Sequence, residues 1–357
     1  MSTGRRFIDS QFMHLTRLAV SFLQAMLLAP LAVLHAAEPI TNSIGMKLVR
    51  IEAGTFTMGQ DGPQTDYLMN KHPGESDRAD WDEKPVHRVV ISMQTKNAAT
   101  KLPVPANLER RTIKVGEVER EYFIHIPVQM KGRPGPVVFA LHGGASNSGL
   151  QMHYKVDFTP LADREGFVVV YPSGERGWNV GSKDSYIVRN FTSTADDIGF
   201  FKTMFDALIE QKVADAKRLY IVGGSNGGMM THRLACQFAD RIAGAAVVVA
   251  TLPKSALELW PKPSRPLPMM LMLGTADPLV KFEGSAQTLS AEETVTFWRK
   301  QNVCEGEPKH WDPADRDPND GCRVHAQRWE GKEPVVFYTM EGHGHGWPMQ
   351  RDRQDGS

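Results

Sequence analysis

Residues 218–238 read "RLYIVGGSNGGMMTHRLACQF", and this stretch decides the fold. An apolar run, Leu219 to Val222, leads into Gly223, Gly224, Ser225, Asn226 and Gly227, and an amphipathic helical pattern leaves them. Gly-x-Ser-x-Gly between a strand and a helix is the setting that forces a serine into a strained, exposed turn at a sheet edge. Glycine is needed two residues to either side because a side chain there would collide with the neighbouring strand and helix. Outside that setting the same residues would be a plain Gly-Ser loop.

Working outward, near-continuous apolar runs alternate with helical stretches: "PVVFALHGG" (136–144), "GFVVVYPSG" (166–174), "IAGAAVVVA" (242–250), "LPMMLMLGTADP" (267–278) and "PVVFYTMEGHGHG" (334–346). Strands apolar on both sides are what a parallel sheet covered by helices requires. "DDIGFFKTMFDALIEQKV" (196–213) supplies one covering helix, with Phe201, Phe205, Leu208 and Ile209 on one face. Upstream, "RTIKVGEVEREYFIHIP" (111–127) alternates apolar and polar residues around Gly116, the pattern of a β-hairpin with one buried face. The expected fold class is α/β, a mostly parallel central sheet with helices on both faces.

A serine hydroxyl is a poor nucleophile at neutral pH and needs a base within hydrogen-bond reach and a third group to orient that base. When the nucleophile sits on such a turn, the partners follow in chain order, acid and then histidine, each from a loop after a later strand. Asp277 ends one apolar run, and two histidines, His343 and His345, end the last one. Asp277 also suits a turn before Pro278. Asp196 and Asp197 precede the serine and open a helix, where a carboxylate caps free N–H groups, so they read as structural. The developing oxyanion needs two donors. The N–H of Asn226 is one, and Gly144, with Ala145 as its neighbouring alternative, supplies the other from the loop after "FAL". His142 reads as a residue that fixes this loop.

Lysine plus arginine and aspartate plus glutamate balance at 41 each in 357 residues, with no long basic run. That argues against nucleic acid or an anionic membrane surface as partner. "LAVSFLQAMLLAPLAVLHAA" (18–37) follows Arg17, is interrupted by Gln24 and Pro30 and ends in small residues, so residues 1–37 read as a signal peptide rather than a membrane anchor. The mature chain is expected to be secreted, extracellular or periplasmic, without stable membrane insertion, and monomeric. In an oxidising compartment Cys304 and Cys322, which flank the polar loop "EGEPKHWDPADRDPNDG" (305–321), are expected to form a disulfide. Cys236, inside a helical pattern, reads as a buried small hydrophobe.

Residues 38–94 contain "NSIGMKLVRIEAGTFTMGQ" (42–60) and "DEKPVHRVVIS" (82–92), which resemble the opening of the formylglycine-generating-enzyme family. The catalytic cysteines of that family come from a later part of its domain that has no counterpart here. The resemblance therefore implies a truncated module without the family's copper chemistry. "TKNAATKLPVPANLER" (95–110) has the composition of a linker, and residues 111–357 form the main domain.

A second resemblance covers about residues 111–348. "FALHGGASNSG", "FVVVYPSGERGWNVG", "DDIGF", the Ser225 stretch, "LGTADPLV" and "GHGHGWP" are similar, in order, to the extracellular esterases that include polyhydroxybutyrate depolymerases, feruloyl esterases and acetylxylan esterases. It implies an α/β-hydrolase fold, no cofactor and no metal, a polymeric ester (polyester or plant cell-wall polysaccharide) as substrate, and a triad of Ser225, Asp277 and His345. His345 matches because one residue and then Trp347-Pro348 follow it; His343 becomes a flanking residue. Trp178 and Trp347 are candidates to line the substrate pocket, and Trp178 fits a core-covering role equally well. A secreted serine esterase is the leading expectation. A non-catalytic scaffold with a degenerate hydrolase body is the alternative, and a metal enzyme using His343 and His345 lacks further ligands at suitable spacing.

Overall fold

The computed structural model describes residues 102–144, 148–183, 193–315, 318 and 321–348, together with the backbone of four short strands between residues 40 and 91. Those strands lie in a unit of their own spanning Leu28–Lys101. There β1 (Ile40–Thr41) pairs antiparallel with β2 (Lys47–Leu48), and β3 (Gly54–Met58) with β4 (His87–Ile91). The expected signal segment 1–37 and its cleavage point fall outside the described residues.

The main body begins with the anticipated hairpin, β5 (Glu109–Val115) and β6 (Val118–His125), closed by a two-residue turn in which Gly116 has φ +60°. Then come β7 (Gly135–Leu141), β8 (Val168–Pro172), β9 (Ala214–Gly224), β10 (Ile242–Val248), β11 (Met269–Gly274), β12 (Lys309–Trp311), β13 (Arg323–Trp329) and β14 (Val335–Glu341). They form one sheet in the order β12-β13-β14-β11-β10-β9-β7-β8-β6-β5. From β14 to β8 every pair is parallel, and both ends are finished by antiparallel strands. The continuous apolar runs occupy the middle because only there are both faces covered; β8, for example, is buried at all five residues.

Alternate residues of each strand serve opposite faces. Val137, Phe139 and Leu141 of β7 join α3 (Asp197–Glu210), α4 (Asn226–Gln237) and α6 (Ala291–Gln301) on one side. Val138 and Ala140 join α1 (Gly149–Lys155) and α2 (Thr159–Glu165) on the other. Helix α3 starts where Asp196 accepts a hydrogen bond from the Gly199 N–H at 2.8 Å, and it buries Phe200, Phe201, Met204, Phe205 and Leu208. Each such side chain contributes roughly 2 kcal/mol of transfer free energy. Helix α6 starts with a capping box between Ser290 and Glu293. The short α5 (Ala256–Leu259) lies between β10 and β11. A mostly parallel sheet covered on both faces, with a strand-turn-helix at its centre, is the α/β-hydrolase fold.

Two expectations need correction. Residues 102–110, assigned to the linker 95–110, belong to the body: Leu108 is buried, Asn107 donates to Thr159 Oγ1 at 3.0 Å, and the Asn107 carbonyl bonds His125 Nδ1 at 2.7 Å. Cys304 and Cys322 are not joined by a disulfide. Cys304 sits beside the Trp329 carbonyl at the far end of β13, whereas Cys322 immediately precedes the first residue of that strand. A seven-residue strand spans roughly 20 Å, several times the Cα separation a disulfide tolerates.

Candidate active site

Ser225 has φ 56° and ψ −125°, a conformation that L-residues adopt only under constraint. The constraint is visible in its neighbours. A Cβ on Gly223 would lie 2.3 Å from the Gly227 carbonyl oxygen, inside α4, and one on Gly227 would lie 2.3 Å from the His142 carbonyl oxygen, at the end of β7. The turn therefore wedges between the helix and the adjacent strand. Its backbone is bonded on both sides, by the Ser225 N–H to Val248 O at 3.0 Å and by the Met229 N–H to Ser225 O at 2.9 Å.

Asp277 and His345 reach the serine from the loops after β11 and β14, which are parallel neighbours. The two loops are clasped together: the Ala276 N–H donates to His343 O at 3.1 Å, and the Gly342 N–H donates to Thr275 Oγ1 at 2.9 Å. Gly274 permits the approach, since a Cβ there would sit 2.2 Å from the His343 carbonyl oxygen. His345 Nε2 lies 2.9 Å from Ser225 Oγ, and its Nδ1 lies 2.8 Å from Asp277 Oδ2. The other Asp277 oxygen accepts the N–H groups of Leu279 and Val280, both at 2.8 Å. Asp277 is thus a turn residue and a histidine partner at once. Its side chain is 1% exposed, that of His345 15%, and Ser225 is half-buried, so the chain of hydrogen bonds runs from a sealed carboxylate outward to an accessible hydroxyl.

Gly143 flanks the serine, where an added Cβ would lie 3.4 Å from Ser225 Cβ, and Gly144 follows it. Asn226 opens α4, and its N–H has no backbone partner among the described residues, as befits a first-turn donor. Ala145 lies outside the described residues. His142 fixes this loop as expected: its Nδ1–H donates to Gly143 O and its Nε2 accepts from the Gly174 N–H, both at 2.8 Å. Burial pushes its pKa down to about 4, which keeps the ring neutral.

Both tryptophans are buried. Trp178 is fully buried, stacked on His142 with ring centroids 4.7 Å apart. Trp347 is buried on the α1–α2 face, edge-on to Phe158 and directly beneath Gly224, whose Cβ would lie 2.9 Å from the indole nitrogen. Trp347 thus packs against the turn at Gly224, and the Trp178 main chain bonds the Asn226 side chain that follows it. His343 braces its own loop through Nε2–H to Gly346 O at 3.1 Å. Asp197 accepts from Arg120 Nη2 at 2.7 Å and from the Asn179 N–H at 2.7 Å, and burial raises its pKa against the pull of Arg120. Burial pushes the Cys236 thiol up to about 12, leaving it inert. Among the described residues no group of three or more His, Cys, Asp or Glu could hold a metal ion, and no helix is long and apolar enough to cross a membrane.

Residues 153–262 match the model of the prolyl oligopeptidase family, a stretch that contains the Ser225 turn and ends before Asp277 and His345. The chain is 30% identical over 196 residues to feruloyl esterase B of Piromyces equi, covering 51% of this chain and 34% of that protein. It is 27% identical over 246 residues to a bifunctional acetylxylan esterase/xylanase of Neocallimastix patriciarum, covering 66% of this chain and 32% of that protein. The chain thus spans about a third of the length of these two relatives. Among solved structures, an acetyl xylan esterase from Aspergillus awamori superposes with a TM-score of 0.48 at 19% identity, over 69% of this chain and 97% of that one.

The Gly274–His343 approach and the Thr275 bond to Gly342 were missed in sequence. "GTAD" carries the signal: a glycine that ends a strand just before a candidate catalytic acid marks a close backbone approach.

Proposed function

We propose that this chain is a carboxylic ester hydrolase in which Ser225 is the nucleophile, His345 the general base and Asp277 the residue that orients His345. The observation that carries this reading is the single imidazole bridging Asp277 Oδ2 and Ser225 Oγ at 2.8 and 2.9 Å. His345 Nε2 accepts the hydroxyl proton as Ser225 Oγ bonds to the ester carbonyl carbon, and the carbonyl oxygen becomes an oxyanion bound by the N–H groups of Asn226 and Gly144. The tetrahedral species collapses as His345 returns the proton to the departing alcohol. Water, deprotonated by the same imidazole, then releases the acid and regenerates the serine.

The substrate class we infer is an ester carried on a polymer, a plant cell-wall polysaccharide or a polyester, in keeping with the feruloyl and acetylxylan esterases to which the chain is similar. The apolar segment 18–37 supports export of the mature chain. The test is hydrolysis of a short-chain nitrophenyl ester and labelling by a fluorophosphonate, comparing the native protein with Ser225→Ala. Loss of both in the variant is expected; equal turnover and labelling would sink the assignment. Feruloylated xylan, acetylated xylan and polyhydroxybutyrate then separate the substrate classes by the acid each releases.

A further inference from the structure

The two donor segments over Ser225 come from distant parts of the chain, His142–Gly144 after β7 and Asn226 at the start of α4, and one residue touches both. The Trp178 indole Nε1–H donates to the His142 carbonyl at 2.8 Å, while its ring stacks on the His142 imidazole. Its own main chain holds Asn226: the Trp178 N–H donates to Asn226 Oδ1 at 2.6 Å, and Asn226 Nδ2 donates to the Trp178 carbonyl at 3.4 Å. The next residue is tethered in turn, with the Asn179 N–H on Asp197 Oδ2 at 2.7 Å and Asp197 Oδ1 on Arg120 at 2.7 Å. Both charged side chains are almost fully buried, and the Arg120 guanidinium also packs over the Phe200 ring at 4.3 Å.

We propose that Trp178 is a positioning residue of the oxyanion pocket, clamping its two donor segments in register through its indole N–H and its own main chain, with the buried Arg120–Asp197 pair anchoring the loop that carries it. This rests on the esterase reading. Hydrogen bonds in a dry interior hold their geometry, because no water competes for either partner. Donors contribute to catalysis only if fixed where the oxyanion will form, and a displacement of about 1 Å costs on the order of a hundredfold in rate. Phenylalanine would preserve the stack on His142 but not the bond to its carbonyl, which is why an indole occupies a fully buried position here.

Two variants test the clamp. Trp178→Phe removes the indole N–H and keeps a flat ring, and Asn226→Ala removes the grip on Trp178 while keeping the main-chain N–H of residue 226. The kcat and KM for nitrophenyl acetate are measured per site titrated with a phosphonate, together with Ki for an alkylboronic acid, whose tetrahedral adduct places an oxygen in the pocket. In both variants kcat falls about ten- to a hundredfold, KM stays within about threefold, and Ki rises in proportion to the loss in kcat. A purely structural role would lower the titratable fraction and leave kcat per site and Ki at their native values, and that result overturns the proposal. Should Trp178→Phe yield no folded protein, Asn226→Ala decides. A native protein that neither turns over nor labels overturns the esterase reading and the clamp with it, whereas an active native protein with unaltered variants overturns the clamp alone.

Discussion

Asp277 Oδ2 lies 2.8 Å from His345 Nδ1, and the other oxygen of the same carboxylate is held by two main-chain N–H groups, those of Leu279 and Val280. This arrangement makes the consequence of Asp277→Asn specific. The asparagine oxygen turns toward the two N–H donors, and its amide nitrogen then faces His345 Nδ1. The imidazole must accept there and carry its proton on Nε2, so it donates to Ser225 instead of accepting from it. A drop in kcat of about a thousand- to ten-thousandfold is expected with little change in melting temperature. Retention of a tenth of native turnover would remove Asp277 from the assignment.

The glycines around Ser225 make a second prediction, and it is one of contrast. Gly227→Ala brings a methyl group within 2.3 Å of the His142 carbonyl oxygen and 2.7 Å of that of Leu141, so α4 must move away from β7. Activity should fall at least a hundredfold, since the displacement carries Ser225 and Asn226 with it. Gly346→Ala meets nothing within 4 Å although it sits next to His345. Assayed side by side, that variant should keep turnover within a few-fold; equal loss in the two would show that crowding at the turn is not what the glycines prevent.

These glycines were legible because a strand, a tight turn and a helix each leave a local signature, and the same holds for the apolar runs that became β7 to β11 and β14. What was not legible depends on distant neighbours. Trp178 follows a strand in a polar stretch, and nothing local says that α4 and the loop after β7 close over it. The stretch 305–321 reads as a polar loop, yet Lys309–Trp311 forms the outermost strand of the sheet, exposed at all three residues, where edge pairing to β13 replaces burial as the reason for extended backbone. Asn107 and Leu108 look like linker until Thr159 and His125 are placed beside them.

A third prediction concerns the thiols. With Cys304 and Cys322 at opposite ends of β13, the unfolded, unreduced protein should titrate three thiols with a chromogenic disulfide reagent, which accounts for every cysteine in the chain. Reductant should leave the melting temperature unchanged. A single titratable thiol, with the melting temperature lowered by reductant, would mean that the strand end and the α6 end are bridged after all.

The last prediction is a pH dependence of stability. His142 and His232 are both buried, and burial, joined at His142 by the nearby Arg120 charge, drives their pKa values down against a backbone hydrogen bond at each, to about 4 and about 3. In the unfolded chain each titrates near its ordinary value of about 6.5. Between those limits the unfolded state binds protons that the native state refuses, so stability rises with pH. It is therefore complete above about pH 6.5 and declines as pH falls toward 4, at most by ~3 kcal/mol per pH unit for the two groups together. His153, also lowered by burial, adds to the decline, while Asp197, raised by burial, works against it. The urea midpoint should accordingly drop between pH 7 and pH 4.5. His232 accepts the Trp298 Nε1–H at 3.0 Å, so His232→Gln keeps an acceptor at that point while removing the titration. The variant should lose some stability at pH 7 through imperfect packing, yet show a clearly smaller decline toward pH 4.5. Parallel curves for the two proteins would rule His232 out as a source of the acid sensitivity.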